Sequence, residues 1–168
     1  HPVYNIISVA EMPLGALNIR HTMNSFSING KGYMGMGNKY VEILSEAYKD
    51  WYEYSPATNS WAVKSSLPAS ASTTTGSACF TDGTNGYITS GTNGCFVNQS
   101  CYLNDTWMYD PIIDTWTSKA DWPVVGRYTA RATALGDTAF AGLGYYTFSG
   151  AGNIYKYSFS ADTWTNAN

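Results

Sequence analysis

Short alternating stretches of apolar and polar residues, each closed by a cluster of turn formers, run along this chain. Residues 77–81, Ser-Ala-Cys-Phe-Thr, read as a strand. Asp82-Gly83-Thr84-Asn85-Gly86 follows as a turn, and its Asn-Gly pair is a strong hairpin signal. A second strand covers residues 87–91, and a longer excursion over 92–103 leads to a third at 105–109. Asp110-Pro111-Ile112-Ile113-Asp114 then turns the chain back, with proline preset for the second position of a turn. A fourth strand begins at Trp116 and ends near Trp122-Pro123. Four short antiparallel strands in sequence predict one blade of a β-propeller.

The same pattern occurs three times. Pro13, Pro68 and Pro123 stand 55 residues apart, and each is followed by a strand containing glycine: residues 33–37, 87–91 and 139–144. An aromatic pair and a tryptophan come next: Tyr52/Tyr54 with Trp61, Trp107/Tyr109 with Trp116, and Tyr155/Tyr157 with Trp164. The step from Tyr54, Tyr109 or Tyr157 to its tryptophan is seven residues every time. A period near fifty residues marks an array of one supersecondary unit. The expected division is an outer strand in residues 1–13 and blades at 14–68, 69–123 and 124–168. Residues 5–13 match residues 115–123, with Ile6 in the tryptophan position.

The order of glycine-bearing strand, aromatic-x-Tyr, Pro/Asp turn and Trp six residues before a hydrophobic-Pro pair resembles the kelch repeat, over nearly the whole chain. The paired glycines usual in kelch strands appear here as Gly35-x-Gly37, a lone Gly91 and Gly142-x-Gly144. The resemblance implies an all-β, kelch-type propeller segment of three four-stranded antiparallel blades. It also implies that Tyr54, Trp61, Tyr109, Trp116, Tyr157 and Trp164 fill the space between blades. Propellers use about four to eight blades, so three imply completion by self-association or by a chain carrying the missing blades. A head-to-tail contact that closes makes a ring, and one that does not makes a filament.

Composition narrows the classes. Charged residues are 12 % of the 168 and the net charge is −3, with no basic cluster to form a nucleic-acid footprint. Aromatics reach 15 %, which suits pleated surfaces. No apolar run approaches the ~20 residues of a membrane span. The chain opens with His1-Pro2, which suggests a removed leader or a fragment. Cys95 and Cys101 bracket a five-residue loop, so a disulfide is expected there, while Cys79 reads as a small buried hydrophobe. Two sequons, at Asn98 and Asn104, and the scarcity of Lys and Glu point to an extracellular or cell-surface protein.

Candidate chemistry is sparse. Kelch propellers include a copper-radical oxidase, but its ligands need two histidines, a tyrosinate and a Cys–Tyr crosslink. This chain has only His1 and His21. A histidine brace from the same pair is the other copper arrangement, and it belongs to a different fold. Some kelch propellers act on sialic acids, which keeps a sugar isomerase as an alternative. Asp50, Asp105 and Asn153 share one register before the aromatic strand. Recurrence in every blade points to structural hydrogen bonding, not a unique catalytic acid. No catalytic residue, metal site or cofactor is therefore expected.

Arg20-His21 and Arg127-Tyr128 precede equivalent strands, where the second repeat has Thr74-Thr75. In kelch domains that recruit partners, arginines at this place line the central pocket and bind acidic peptides. By that resemblance Arg20 and Arg127 grip a carboxylate or sugar; the alternative is pairing with a neighbouring blade's carboxylate. The insertions at 38–49, 92–103 and 145–152 differ between repeats, and such loops carry recognition. Tyr102, Tyr145, Tyr146 and Phe148 are candidate glycan-stacking surfaces, or contacts between subunits. The expected function is a non-catalytic extracellular binding or assembly module. The alternatives are an extracellular filament subunit and a carbohydrate-active enzyme.

Overall fold

The structure is a computed structural model describing residues 8–14, 19–41, 44–72, 75–146 and 149–167. The first blade contains β1 (Asn24–Ile28) and β2 (Lys31–Gly35), followed by a small hairpin of β3 (Asn38–Val41) and β4 (Leu44–Ala47), then β5 (Trp51–Ser55) and β6 (Ser60–Lys64). The second has β7 (Ala78–Thr81), β8 (Gly86–Thr89), a single 3-10 turn at Gln99–Cys101, β9 (Thr106–Asp110) and β10 (Thr115–Lys119). The third has β11 (Arg131–Leu135), β12 (Thr138–Gly142), a hairpin of β13 (Tyr145–Tyr146) and β14 (Ser149–Gly150), then β15 (Ile154–Ser158) and β16 (Thr163–Asn166). Each blade is a four-stranded antiparallel sheet in sequence order, with the two hairpins set apart from it. The expected all-β fold of three propeller-type blades is therefore present; the first three strands of the second repeat begin and end within about two residues of the pattern, and the fourth stops at Lys119, short of the expected Trp122-Pro123.

Register explains how the blades stack. Tyr33, Tyr87 and Phe140 are equivalent, and each pairs with a residue on the innermost strand: Phe26, Phe80 and Thr133. Alternation sends these side chains to the back of their sheet. There, Phe26 and Tyr33 meet Tyr109 of the second blade at 6.4 and 5.7 Å, and Trp51 meets Trp116 at 5.4 Å. One boundary further on, Phe80 and Tyr87 meet Tyr157 at 6.0 and 5.8 Å. Gly86 is small because a β-carbon there would collide with the Phe26 ring. Tyr109 and Tyr157 are completely buried. The core lies between sheets.

Two further repeating devices fix the blades. On the inner side, the Gly76 N–H donates to the Thr22 carbonyl at 3.1 Å, and the Thr129 N–H to the Gly76 carbonyl at 2.8 Å. Thr22, Gly76 and Thr129 all have left-handed backbone, with φ of 54, 63 and 57°. On the outer side, each tryptophan indole donates to a carbonyl of the preceding segment: Trp61 to Ala10 (2.8 Å), Trp116 to Ser65 (2.9 Å) and Trp164 to Ala120 (3.0 Å). The same three residues donate their N–H groups to Asn59, Asp114 and Asp162. Of the segment expected to form an outer strand, residues 1–7 lie outside the described residues. Ala10 fills the first of the three tail positions.

Candidate functional site

The two outer faces of the blade stack differ from its internal boundaries at equivalent positions. On the back of the third blade, Leu143 is 48 % exposed and Ile154 36 %. Their counterparts in the first blade, Met36 and Trp51, are completely buried, and so are Ser90 and Thr106 in the second. An apolar groove of about 280 Å³ runs there along Phe140, Leu143 and Ile154. On the front of the first blade Tyr54 is half-buried, and an open groove of about 470 Å³ passes Met34, Tyr54 and Trp61. A β-carbon on Gly32 would meet only Tyr54 Cβ at 3.8 Å, although Gly32 occupies the register place of Gly86. The first blade thus keeps the space that an incoming ring fills in the second.

The turn residues Asn59, Asp114 and Asp162 form latches that sequence reasoning missed. Tyr54, Tyr109 and Tyr157 donate their hydroxyls to them at 2.8, 2.7 and 2.6 Å. All three latch residues have positive φ, between 46 and 53°. The signal was available: an Asn or Asp stands five residues after each Tyr and two before each Trp. Burial tends to raise the Asp114 carboxyl, but hydrogen bonds from Tyr109 and the Ser65 N–H, with the Lys64 charge, hold it below the usual range. At Asp162, burial is likewise outweighed by Tyr157, the Ala120 N–H and Lys119. Burial and these carboxylates push both tyrosine hydroxyls upward.

Arg20 and Arg127 do occupy equivalent places. Their guanidiniums bond to the carbonyls of Met36 and Leu143, each sixteen residues on. Neither lines an open mouth. The Arg20 side chain is 2 % exposed and makes a bidentate pair with Asp50 of its own blade, the Nη2–Oδ2 contact being 2.9 Å, beneath the Tyr48 ring. Arg127 is 4 % exposed, bonds to the Asn153 carbonyl at 3.0 Å and lies over Trp122 and Tyr155. The expectation that these arginines grip an incoming carboxylate is thus corrected: Asp50 and backbone carbonyls of the same blades already hold the two buried guanidiniums. The shared register of Asp50, Asp105 and Asn153 has a structural use. Asp105 accepts from the Ser72 N–H and the Trp107 indole, both at 2.8 Å.

His21, Thr75 and Tyr128 begin the blades and bridge to Asn38, Thr92 and Tyr145, which start the three insertions. The insertions therefore share one rim. There the Cys95–Cys101 disulfide is formed, with a Cα–Cα distance of 5.2 Å. Around it, Tyr102 and Tyr128 are buried and Phe96, Tyr145 and Tyr146 are half-buried. Phe96 and Tyr145 meet the Tyr128 ring edge-on at 5.0 and 5.3 Å. The four predicted tyrosines come together, but as a packed cluster, with only Tyr145 and Tyr146 offering part of their surface. His21 is exposed at this rim. Thr74, Phe148 and His1 lie outside the described residues. Among the described residues no group of three His, Cys, Asp or Glu side chains is placed to hold a metal, and no helix is long and apolar enough to cross a membrane.

No family model and no curated protein matches the chain. A solved structure of YjhT is similar, with a TM-score of 0.80 and 18 % identity over 95 % of this chain. The chain spans 54 % of the length of YjhT. A likeness at this identity concerns the fold alone.

Proposed function

We propose that this chain is a kelch-type propeller segment working outside the cell as a binding and assembly module, and that its two open blade faces are completed by further blades. One observation carries the reading: the back of the third blade and the front of the first expose positions that are sealed at both internal boundaries. A heterologous contact joins two different surfaces of one chain. On the back of the third blade Phe140 stands in the place from which Tyr33 packs on the second blade, with Thr133 at the place of Phe26, and the Tyr54–Trp61 face has the form of Tyr109–Trp116. A second copy thus supplies both halves of the contact, and another chain with equivalent blades supplies the same chemistry. The rigid stack then displays the three rim insertions. The disulfide and the absence of a membrane-spanning helix among the described residues are compatible with an extracellular site.

Native mass, by light scattering coupled to size exclusion, tests this. A discrete species near twice 18.3 kDa supports a ring made from two copies. A long polydisperse series supports the same face-to-face contact in an open filament. A monomer at all concentrations overturns completion by a second copy of this segment.

A further inference from the structure

The two Asn-x-Ser/Thr sequons, at Asn98 and Asn104, lie close together in sequence, and the fold treats them differently. Asn98 sits in the loop bridged by Cys95 and Cys101, within an exposed run over residues 97–100. Its Oδ1 accepts from the Ser100 N–H at 3.0 Å and from the Ser100 hydroxyl at 2.6 Å. The asparagine and the hydroxyl that a sequon requires are therefore already side by side. Nδ2, the atom that carries an N-linked sugar, has no hydrogen-bond partner among the described residues. The loop backbone is tied by its own turn: the Cys101 N–H donates to the Asn98 carbonyl and the Tyr102 N–H to the Gln99 carbonyl, both at 3.2 Å. Residues 97–100 pair with no strand, so they can enter an enzyme's groove without opening a sheet.

At Asn104 every part of the sequon is engaged. Nδ2 donates to the Trp122 carbonyl at 3.3 Å, and the Trp122 N–H donates to the Asn104 carbonyl at 2.7 Å. The Asp105 carbonyl accepts from the Ser90 N–H at 3.2 Å. Thr106 is the first residue of β9 and is completely buried, with its hydroxyl against that of Thr89 at 2.7 Å. Presenting this sequon means breaking both bonds to Trp122 and pulling the start of β9, an inner strand of its sheet, out of the second blade. A central strand opens far less often than a surface loop.

We propose that the fold selects Asn98 over Asn104 as an acceptor of N-linked oligosaccharide, so that the rim insertion of the second blade carries the sugar. The donor is a lipid pyrophosphate-linked oligosaccharide. Nδ2 attacks the sugar C1, the C1–O bond to phosphate breaks, the lipid pyrophosphate leaves, and the amide gives one proton to a base of the transferase. Asn98 lines neither groove on the open blade faces, so a glycan there leaves the blade-to-blade contact clear. The inference rests on the extracellular part of the function proposed above.

The test is transfer in vitro to the folded, disulfide-bridged full chain, using a purified oligosaccharyltransferase with its lipid-linked oligosaccharide and reading sites by glycopeptide mass spectrometry. Occupancy at Asn98 is expected to exceed that at Asn104 roughly tenfold, the ratio set by unequal local opening. Asn98→Gln and Ser100→Ala should each remove the glycosylated species, while Asn104→Gln should leave it unchanged. The reduced, unfolded chain should take sugar at both sites, and circular dichroism checks that each variant is folded. A folded chain that accepts no sugar at Asn98, or equal occupancy of the two asparagines, would overturn the proposal. An unfolded chain that keeps the same preference would overturn it too, because the sequons and not the fold would then be choosing. No secretion step enters the assay, so a competent acceptor that is found inside its own cells defeats only the extracellular reading. Native mass is read on the glycosylated sample, where a monomer defeats only the assembly reading.

Discussion

Tyr109 and Tyr54 occupy the same place in consecutive repeats, yet they live in different environments. Tyr109 is wholly buried, with Phe26, Tyr33, Trp51 and Trp116 around its ring and Asp114 on its hydroxyl. Tyr54 is half-buried, packs on Trp61 at 5.1 Å and bonds to Asn59. The two turns and the two Tyr–Trp pairs are alike, so the difference comes from the sheet in front. An aromatic repeat is a half-interface, and its energy is realised only when a neighbouring blade supplies the other half.

The sharpest way to break this comparison is to truncate both rings. Tyr109→Ala is expected to cost about 4 kcal/mol, in the range for large-to-small changes at a sealed aromatic. Tyr54→Ala should cost only about 1 kcal/mol in the isolated chain, as denaturant melts can measure. If concentrated protein assembles through the first blade's front, the Tyr54→Ala cost should grow with concentration.

A matched glycine pair sharpens it from the other side. Gly86→Val drives a side chain into Phe26 and should cost about 3 kcal/mol by overpacking. Gly32→Val meets open space and should change the melt of the isolated chain by less than about 0.5 kcal/mol. Light scattering should nevertheless show that it no longer self-associates. Equal costs for the two glycines would mean that the front of the first blade is covered in solution.

The smallest expected effects lie in the latches. Asp114 and Asp162 have depressed folded pKa values, so their contribution is present above the unfolded value of about 3.9 and lost as pH falls through the folded one. Stability should therefore decline on acidification in that window. Asp114→Asn with Asp162→Asn should flatten the decline, while Glu53 and Asp82, also held low, keep a residual slope. At neutral pH each substitution should cost about 1 kcal/mol or less, since more than a third of each carboxylate is exposed and Asn59 shows that an amide can hold the tyrosine. Chemical denaturation between pH 3 and 7 measures both.

Much of the blade was legible before any coordinates. Turn chemistry at Asp82–Gly86 and Asp110–Asp114 is local, and the strands of the second repeat fall where it puts them. The Cys95–Cys101 bridge followed from a short loop. The arginines were placed in the right register but given the wrong neighbours, because register is a property of spacing and neighbours are a property of packing. Asp50 and Asn153 decide where those charges go, and each stands 26 or more residues away in sequence. Tyr102 was chosen with Tyr145 and Tyr146 as a stacking surface, yet it is buried beside Tyr128 around the disulfide. Nothing in a run of aromatic residues says which rings face water.

The sequence by itself determined the repeat, the four-strand unit, its turns and its aromatic half-interfaces, since these rest on periodicity and local backbone preference. Only the tertiary structure decided which half-interfaces are sealed and which groups hold the Arg20 and Arg127 guanidiniums. Those outcomes depend on contacts between residues 26 or more positions apart, where burial and desolvation, not local propensity, set the energy.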